Sequence, residues 1–335
     1  MRVLIVRLGS IGDIVHAAPL VTNVRARVPG AEVDWVVEAA LGDAVRLCDG
    51  VSRAVPFETR SAGGERGWLG GVRRLRAARY DVAIDAQGLL KSALLARLSG
   101  ARRVIGWARP WLREPAAAVF YGERVGAGDA VHVLDKNLAL LRPLGIDRPS
   151  REVVLAAGPE TAEVAQAAAR AGHRFALINP GANWPNKRWP PDRFGELAAR
   201  LRNTHGLATL VLWGPGDEAL ADAVVAASQG AARRAPATSL RDIVHLARRA
   251  AVVVAGDTGP FHLACAAGAT TVGIFGPTDP ARNGSWRQGD EAISRFGACA
   301  CHHQRACRAA RWCLLDVGVD EVEAAVARRL AAHSL

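Results

Sequence analysis

Asp257-Thr258-Gly259-Pro260-Phe261-His262, with Gly276-Pro277-Thr278-Asp279-Pro280 close behind it, decides how this chain is read. The apolar run Ala251-Val252-Val253-Val254-Ala255 leads into the first stretch, and Thr270-Thr271-Val272-Gly273-Ile274-Phe275 leads into the second. Each run reads as a buried strand ending in a polar, Gly-rich turn. Small polar residues at a strand's C-terminal end, just ahead of a helix, offer free backbone N–H groups and the positive end of a helix dipole. That geometry suits a diphosphate. Two such turns about twenty residues apart point to one nucleotide site built from neighbouring βα units.

The same alternation extends outward in both directions. In the first half, strands are expected at Val3–Val6, Glu32–Val37, Val51–Pro56, Asp81–Asp85 and Arg103–Ile105. Between them fall helices at Asp13–Val28, Trp68–Ala78 and Leu90–Leu98. A loop rich in Trp, Arg and Pro follows, then a helix over His132–Leu144. Residues 146–172, with Pro149, Gly158, Pro159 and an Ala-rich helix, hold the domain boundary. The second half restarts the pattern. Strands fall at Phe175–Asn179 and Ala208–Leu212, and helices at Asp192–Thr204, Asp217–Ala227, Ser239–Arg248 and Val319–Ala332, with Ser239 as an N-cap. Repeated βα units imply two α/β domains with parallel sheets, 1–150 and 151–335, and the terminal helix can pack back on the first. Ligands are then expected beyond the carboxyl ends of the strands, in the cleft between the domains.

Composition narrows the function. The chain has 335 residues, half of them hydrophobic, enough for two cores. No apolar run approaches the ~20 residues that span a bilayer. The N-terminus reads as a first strand rather than a signal peptide, so a cytoplasmic protein is expected. The net charge is +11, carried almost wholly by Arg; lysine occurs only at 91, 136 and 187. In a chain that prefers Arg, Lys marks places where a compact ammonium is required. The excess charge fits an acidic partner such as a phosphorylated lipid or an anionic membrane surface. With two Tyr and seven Phe and no nucleic-acid module, no nucleic-acid partner is expected.

Three further stretches could carry chemistry. Gly9-Ser10-Ile11-Gly12-Asp13 joins the first strand to the first helix, and it is neither a dinucleotide fingerprint nor a phosphate loop of the Gly-Lys-Ser type. It presents one carboxylate, Asp13, which reads either as a helix cap or as a base kept ionised by the helix terminus. Asn179-Pro180-Gly181-Ala182-Asn183-Trp184-Pro185-Asn186-Lys187-Arg188-Trp189 puts two cations in a Gly/Pro/Asn loop, suited to a phosphate oxygen that gains charge or to a solvated surface. Glu218, after Trp213-Gly214-Pro215-Gly216-Asp217, is placed to accept from a ribose diol or to serve as a first-turn helix acid.

Taken together, these marks resemble the bacterial lipopolysaccharide heptosyltransferases of glycosyltransferase family 9. The general marks are Ser10-Ile11-Gly12-Asp13, the Lys187 loop, Asp257-Thr258-Gly259 with His262, and Gly276-Pro277-Thr278-Asp279-Pro280. Those most similar to the heptosyltransferase I branch are Asp34-Trp35-Val36-Val37-Glu38, Asp85-Ala86-Gln87-Gly88-Leu89-Leu90-Lys91-Ser92-Ala93, and Arg113-Glu114-Pro115 with Phe120-Tyr121. The resemblance implies a GT-B fold, with two Rossmann-like domains whose parallel sheets face across a cleft, the first holding acceptor and the second the nucleotide sugar. It implies inverting transfer of L-glycero-D-manno-heptose from ADP-heptose to Kdo of Kdo-lipid A, with no cofactor and no metal, at the cytoplasmic face of the inner membrane. Carried over residue by residue, Asp13 is the catalytic base and Lys187 stabilises the leaving diphosphate. Asn183, Glu218, Asp257, Thr258, Gly259, His262 and Thr278 hold the donor, while Ser10, Gly12, Arg60, Gln87, Arg113 and His132 hold the acceptor.

Two departures stand out. The loop has Ala182 and Asn183 where some family members carry phosphate-contacting Thr. Cys299, Cys301, Cys307 and Cys313 cluster near the C-terminus with His302 and His303, in a spacing unlike a zinc ribbon, so a structural metal or free cytosolic thiols are the two readings. Two other functional classes fit the same fold. One is a related family 9 transferase with another sugar or a protein acceptor, and the other is a non-catalytic nucleotide-sugar-binding module.

Overall fold

The structure, a computed structural model, describes residues 1–60, 67–172, 174–307 and 309–332. The chain divides into two units, Met1–Ala156 and Ala157–Leu335.

In the first unit, short runs of Val, Ile and Ala are buried on both faces, and they pair in parallel because a helix covers each crossover. The strands are β1 (Arg2–Val6), β2 (Glu32–Glu38), β3 (Arg53–Phe57), β4 (Val82–Asp85), β5 (Arg103–Trp107) and β6 (Glu123–Val125), ordered β3-β2-β1-β4-β5-β6. Chain order reverses between β1 and β4, which lie side by side with Val6 opposite Asp85. Their carboxyl ends therefore form a topological switch point, where α/β sheets place ligands.

The second unit repeats the plan. Its strands are β7 (Phe175–Asn179), β8 (Ala208–Val211), β9 (Ala232–Arg234), β10 (Val252–Gly256), β11 (Thr271–Phe275) and β12 (Glu291–Ser294), ordered β12-β11-β10-β7-β8-β9. Every residue of β7, β10 and β11 is buried. Here the reversal lies between β7 and β10, with Asn179 opposite Ala255. The indole of Trp189 packs edge-on to Phe194 at 4.7 Å and donates to the Val317 carbonyl at 3.0 Å, fixing the chain just past the Lys187 loop. The terminal helix Val319–Ala332 packs on helix Pro191–His205 and on β10, β11 and β12.

Two expected helices are shorter than read. The helix placed at 13–28 is two, Ile11–Ala17 and Pro19–Arg27, because Pro19 has no N–H and its ring crowds the carbonyl four residues back. The helix placed at 132–144 ends at Ala139, and a 3₁₀ turn, Arg142–Leu144, carries Pro143. Ser239 does cap helix Leu240–Arg249: its hydroxyl accepts from Asp242 N at 3.2 Å while Asp242 accepts from Ser239 N at 3.0 Å. Strands β6, β9 and β12 went unread. All three lie at sheet edges, three or four residues long and each carrying charge, so backbone pairing defines them rather than any apolar period.

Candidate active site

At the switch point of the second sheet, the β7 turn and the β10 turn meet. Lys187 Nζ lies 2.6 Å from Asp257 Oδ2, and His262 Nε2 lies 2.9 Å from Asp257 Oδ1. Asp257 is buried, and burial pushes its carboxyl up. His262 and Lys187 outweigh that and hold the group well below the usual carboxylate range. With Asp257 ionised, His262 Nε2 is the donor. The ammonium of Lys187 also sits over the Trp184 ring at 4.5 Å.

Backbone packing explains why these loops can meet. Gly256 ends β10, and a Cβ there would stand 2.8 Å from the Lys187 carbonyl oxygen. Asn179, the last residue of β7, ties the two turns together: its amide donates to Gly181 O at 3.0 Å and to Thr258 Oγ1 at 3.2 Å. Thr258 then caps helix Gly259–Ala266. Pro260 brings no N–H, Phe261 N donates to the Thr258 hydroxyl at 3.4 Å and His262 N to the Thr258 carbonyl at 3.2 Å, so of the first turn the Gly259 N–H is left to face what lies beyond β10. At the end of β11, Thr278 is buried, and among the described residues its hydroxyl has no hydrogen-bond partner.

The flanking residues are held less deeply. Arg188 donates to Ala182 O at 2.9 Å and reaches Asp217 at 3.3 Å. Burial raises the Asp217 carboxyl, Arg188 counters it, and the Glu218 charge adds to the rise. Glu218 accepts from Gly216 N at 2.9 Å, closing its own turn as a first-turn acid does. Asn183 is exposed. The cysteine segment touches this site: Asn186 donates to Gln304 O at 2.9 Å, and His303 N donates to Pro277 O at 2.8 Å. Cys301 Sγ and Cys307 Sγ lie 3.0 Å apart, and no group of three or more His, Cys, Asp or Glu among the described residues is arranged to hold a metal.

A second cluster occupies the switch point of the first sheet. Asp13 stands in the first turn of helix Ile11–Ala17, accepting from Ser10 N at 2.7 Å and Ser10 Oγ at 3.2 Å, so it does close a helix cap. It also pairs with Arg7, which the sequence reading passed over. The signal was there, since Arg7 is the first charge after four apolar residues of β1. Gln87 joins the group through Leu8 N, which donates to its Oε1 at 2.8 Å. Gly12 is buried beneath the turn. His132 packs edge-on against His16 of the Asp13 helix at 5.3 Å. Arg60 and Arg113 are exposed, and among the described residues neither pairs with a carboxylate; none of the hydrogen bonds described joins them to this group.

Two Rossmann-ordered parallel sheets, each with a polar cluster at its switch point, give the GT-B fold. The chain belongs to glycosyltransferase family 9 (heptosyltransferase), whose family model matches residues 69–312. It is similar to lipopolysaccharide heptosyltransferase 1 of Pseudomonas aeruginosa, 32% identical over 92% of this chain and 87% of that one. The Escherichia coli lipopolysaccharide heptosyltransferase 1 is 28% identical over 96% of this chain and 98% of its own. Among solved structures, E. coli heptosyltransferase WaaC with ADP superposes with a TM-score of 0.76 at 26% identity, covering 99% of this chain and 100% of that one.

Proposed function

We propose that this enzyme transfers L-glycero-D-manno-heptose from ADP-heptose to Kdo of the lipopolysaccharide inner core, with inversion at the anomeric carbon. The observation that carries this reading is the Lys187–Asp257–His262 cluster, set beside the N-terminus of helix Gly259–Ala266. It has the groups a nucleoside diphosphate needs: an ammonium, backbone N–H donors and the buried Thr278 hydroxyl. The relatives supply the sugar, since they are lipopolysaccharide heptosyltransferases and one is solved with ADP-2-deoxy-2-fluoro heptose.

In the proposed reaction the bond from the anomeric carbon to the diphosphate oxygen breaks, and ADP leaves with that electron pair. Lys187, the backbone N–H groups near Thr258 and Thr278, and the Thr278 hydroxyl stabilise the charge that grows on the leaving oxygens. Glu218 accepts from the ribose, and Asn183 takes a place beside the phosphates. Asp13 removes the proton from the attacking Kdo hydroxyl, whose oxygen forms the new bond from the opposite face. Ser10, Gly12, Gln87 and His132 shape the acceptor site around Asp13, and Arg60 and Arg113 attract the acceptor's phosphates and carboxylates. No helix among the described residues is long and apolar enough to cross a membrane. Peripheral attachment to the cytoplasmic face of the inner membrane through the +11 net charge fits a lipid acceptor.

The test is a binding screen of nucleotide sugars, followed by mass and anomeric configuration of the product formed with Kdo-lipid A. Gain of one heptose with inverted configuration is expected. Tight binding of a different nucleotide sugar, or binding with no transfer and no donor hydrolysis, overturns the reading.

A further inference from the structure

The motif Asp85-Ala86-Gln87-Gly88 is family-like, yet the reaction uses only Gln87 from it. Its buried member, Asp85, accepts four hydrogen bonds. Oδ1 takes Gln87 N at 2.9 Å and Gly88 N at 3.1 Å, and Oδ2 takes Tyr121 OH at 2.7 Å and Ser92 Oγ at 2.9 Å. A carboxylate with no solvent exposure and all of these partners makes the turn after β4 rigid. Leu8 N donates to Gln87 Oε1 at 2.8 Å and Ala86 N donates to Val6 O at 3.1 Å, so the turn is bolted to the end of β1 as well.

Arg7 lies between this turn and Asp13. Its backbone is pinned, because Trp35 Nε1 donates to its carbonyl at 3.0 Å and its own N–H donates to Val36 O at 3.3 Å. Its side chain is 11% exposed. One terminal nitrogen donates to the Ala86 carbonyl, and the other pairs with Asp13 Oδ1. The second Asp13 oxygen is held by Ser10 N at 2.7 Å. Oδ2 also takes Ser10 Oγ at 3.2 Å, whereas Oδ1 is oriented by Arg7 alone and keeps acceptor capacity for a hydroxyl. A planar fork can satisfy a carbonyl and a carboxylate at once, which a lysine's point charge does less well.

We infer that Arg7 is a positioning residue for the reaction: braced on the Ala86 carbonyl by the Asp85 turn, it fixes the Asp13 carboxylate in the orientation that receives the acceptor proton. The inference rests on the proposed role of Asp13. Displacing a reacting group by about 1 Å costs ~10²-fold in rate, so misorientation of Asp13 registers in turnover.

Steady-state kinetics of Arg7→Ala, Arg7→Lys and Asp13→Asn test it. Arg7→Ala should lose ~10²-fold in kcat while both Michaelis constants stay within about threefold. Added guanidinium or methylguanidinium ion should restore part of that kcat in Arg7→Ala and none in Asp13→Asn. Arg7→Lys should fall between wild type and Arg7→Ala. A folded Arg7→Ala with wild-type kcat overturns the inference, as does a loss that no guanidinium ion relieves. Should Arg7→Ala fail to fold, wild-type kcat in Arg7→Lys overturns it instead. An inactive Asp13→Asn beside a fully active Arg7→Ala removes this inference alone; an active Asp13→Asn removes the base assignment and this inference with it.

Discussion

Lys187 Nζ and Asp257 Oδ2 lie 2.6 Å apart although 70 residues separate them. The contact exists because β7 and β10 are neighbours at the switch point, each ending in a turn. In the proposed reaction the pair presets the ammonium for a diphosphate, and it lowers the cost of burying both charges. It also gives Asp257 a structural role.

Asp257→Asn should destabilise the second unit by about 3 kcal/mol at neutral pH, because Lys187 and His262 are left facing a neutral amide in a buried setting. The folded pKa of Asp257 lies below its unfolded value. Its contribution is therefore fully present above about pH 4 and is lost as the pH falls through the folded value. Urea unfolding of wild type and variant at pH 7, and again below about pH 4, should show a gap that narrows in acid. Equal stability at pH 7 would show that the pair carries no net weight.

Asp13→Asn should lower turnover by ~10²–10⁴ while donor affinity stays unchanged. Asn keeps an oxygen that can accept from Ser10 N, so the cap and the melting temperature should change little. Turnover near wild type in well-folded variant protein would remove Asp13 from the chemistry.

Transfer should persist in EDTA. Asp257 is committed to Lys187 and His262, so the donor turns present cations and N–H groups rather than a free carboxylate pair of the kind that holds Mg²⁺. Transfer abolished by EDTA and rescued by Mg²⁺ or Mn²⁺ would contradict this.

Raising ionic strength should weaken the acceptor's apparent affinity far more than the donor's. Arg60, Arg73, Arg76 and Arg113 are exposed, and exposed charges are screened within about 8–10 Å at physiological salt. Lys187 and Thr278, proposed to hold the donor, are partly or wholly buried, where salt screens less. Arg113→Ala should raise the acceptor KM selectively. Equal salt sensitivity of both Michaelis constants, or an Arg113→Ala effect confined to the donor, would reverse the assignment of the two units.

Much of the fold was legible because its central strands advertise themselves. Ala251–Ala255 and Thr270–Phe275 are unbroken apolar runs, as strands buried on both faces must be, and polar turns close them. Edge strands such as Ala232–Arg234 carry no such signal, since half their surroundings are water. The break at Pro19 follows from proline chemistry and could have been placed from sequence. Asp13, Lys187, Asp257 and His262 read as candidates because each lies in the stretch that follows a strand.

What the sequence determined by itself was local: where strands end, which turns carry small polar residues, and which few carboxylates and lysines stand there. Tertiary structure decided who meets whom. Parallel pairing across the switch points set Lys187 against Asp257, and set Arg7 against the Ala86 carbonyl of the Asp85 turn. No spacing in the chain encodes those contacts, because a crossover helix separates every pair of parallel strands and strand order, not sequence distance, brings their ends together.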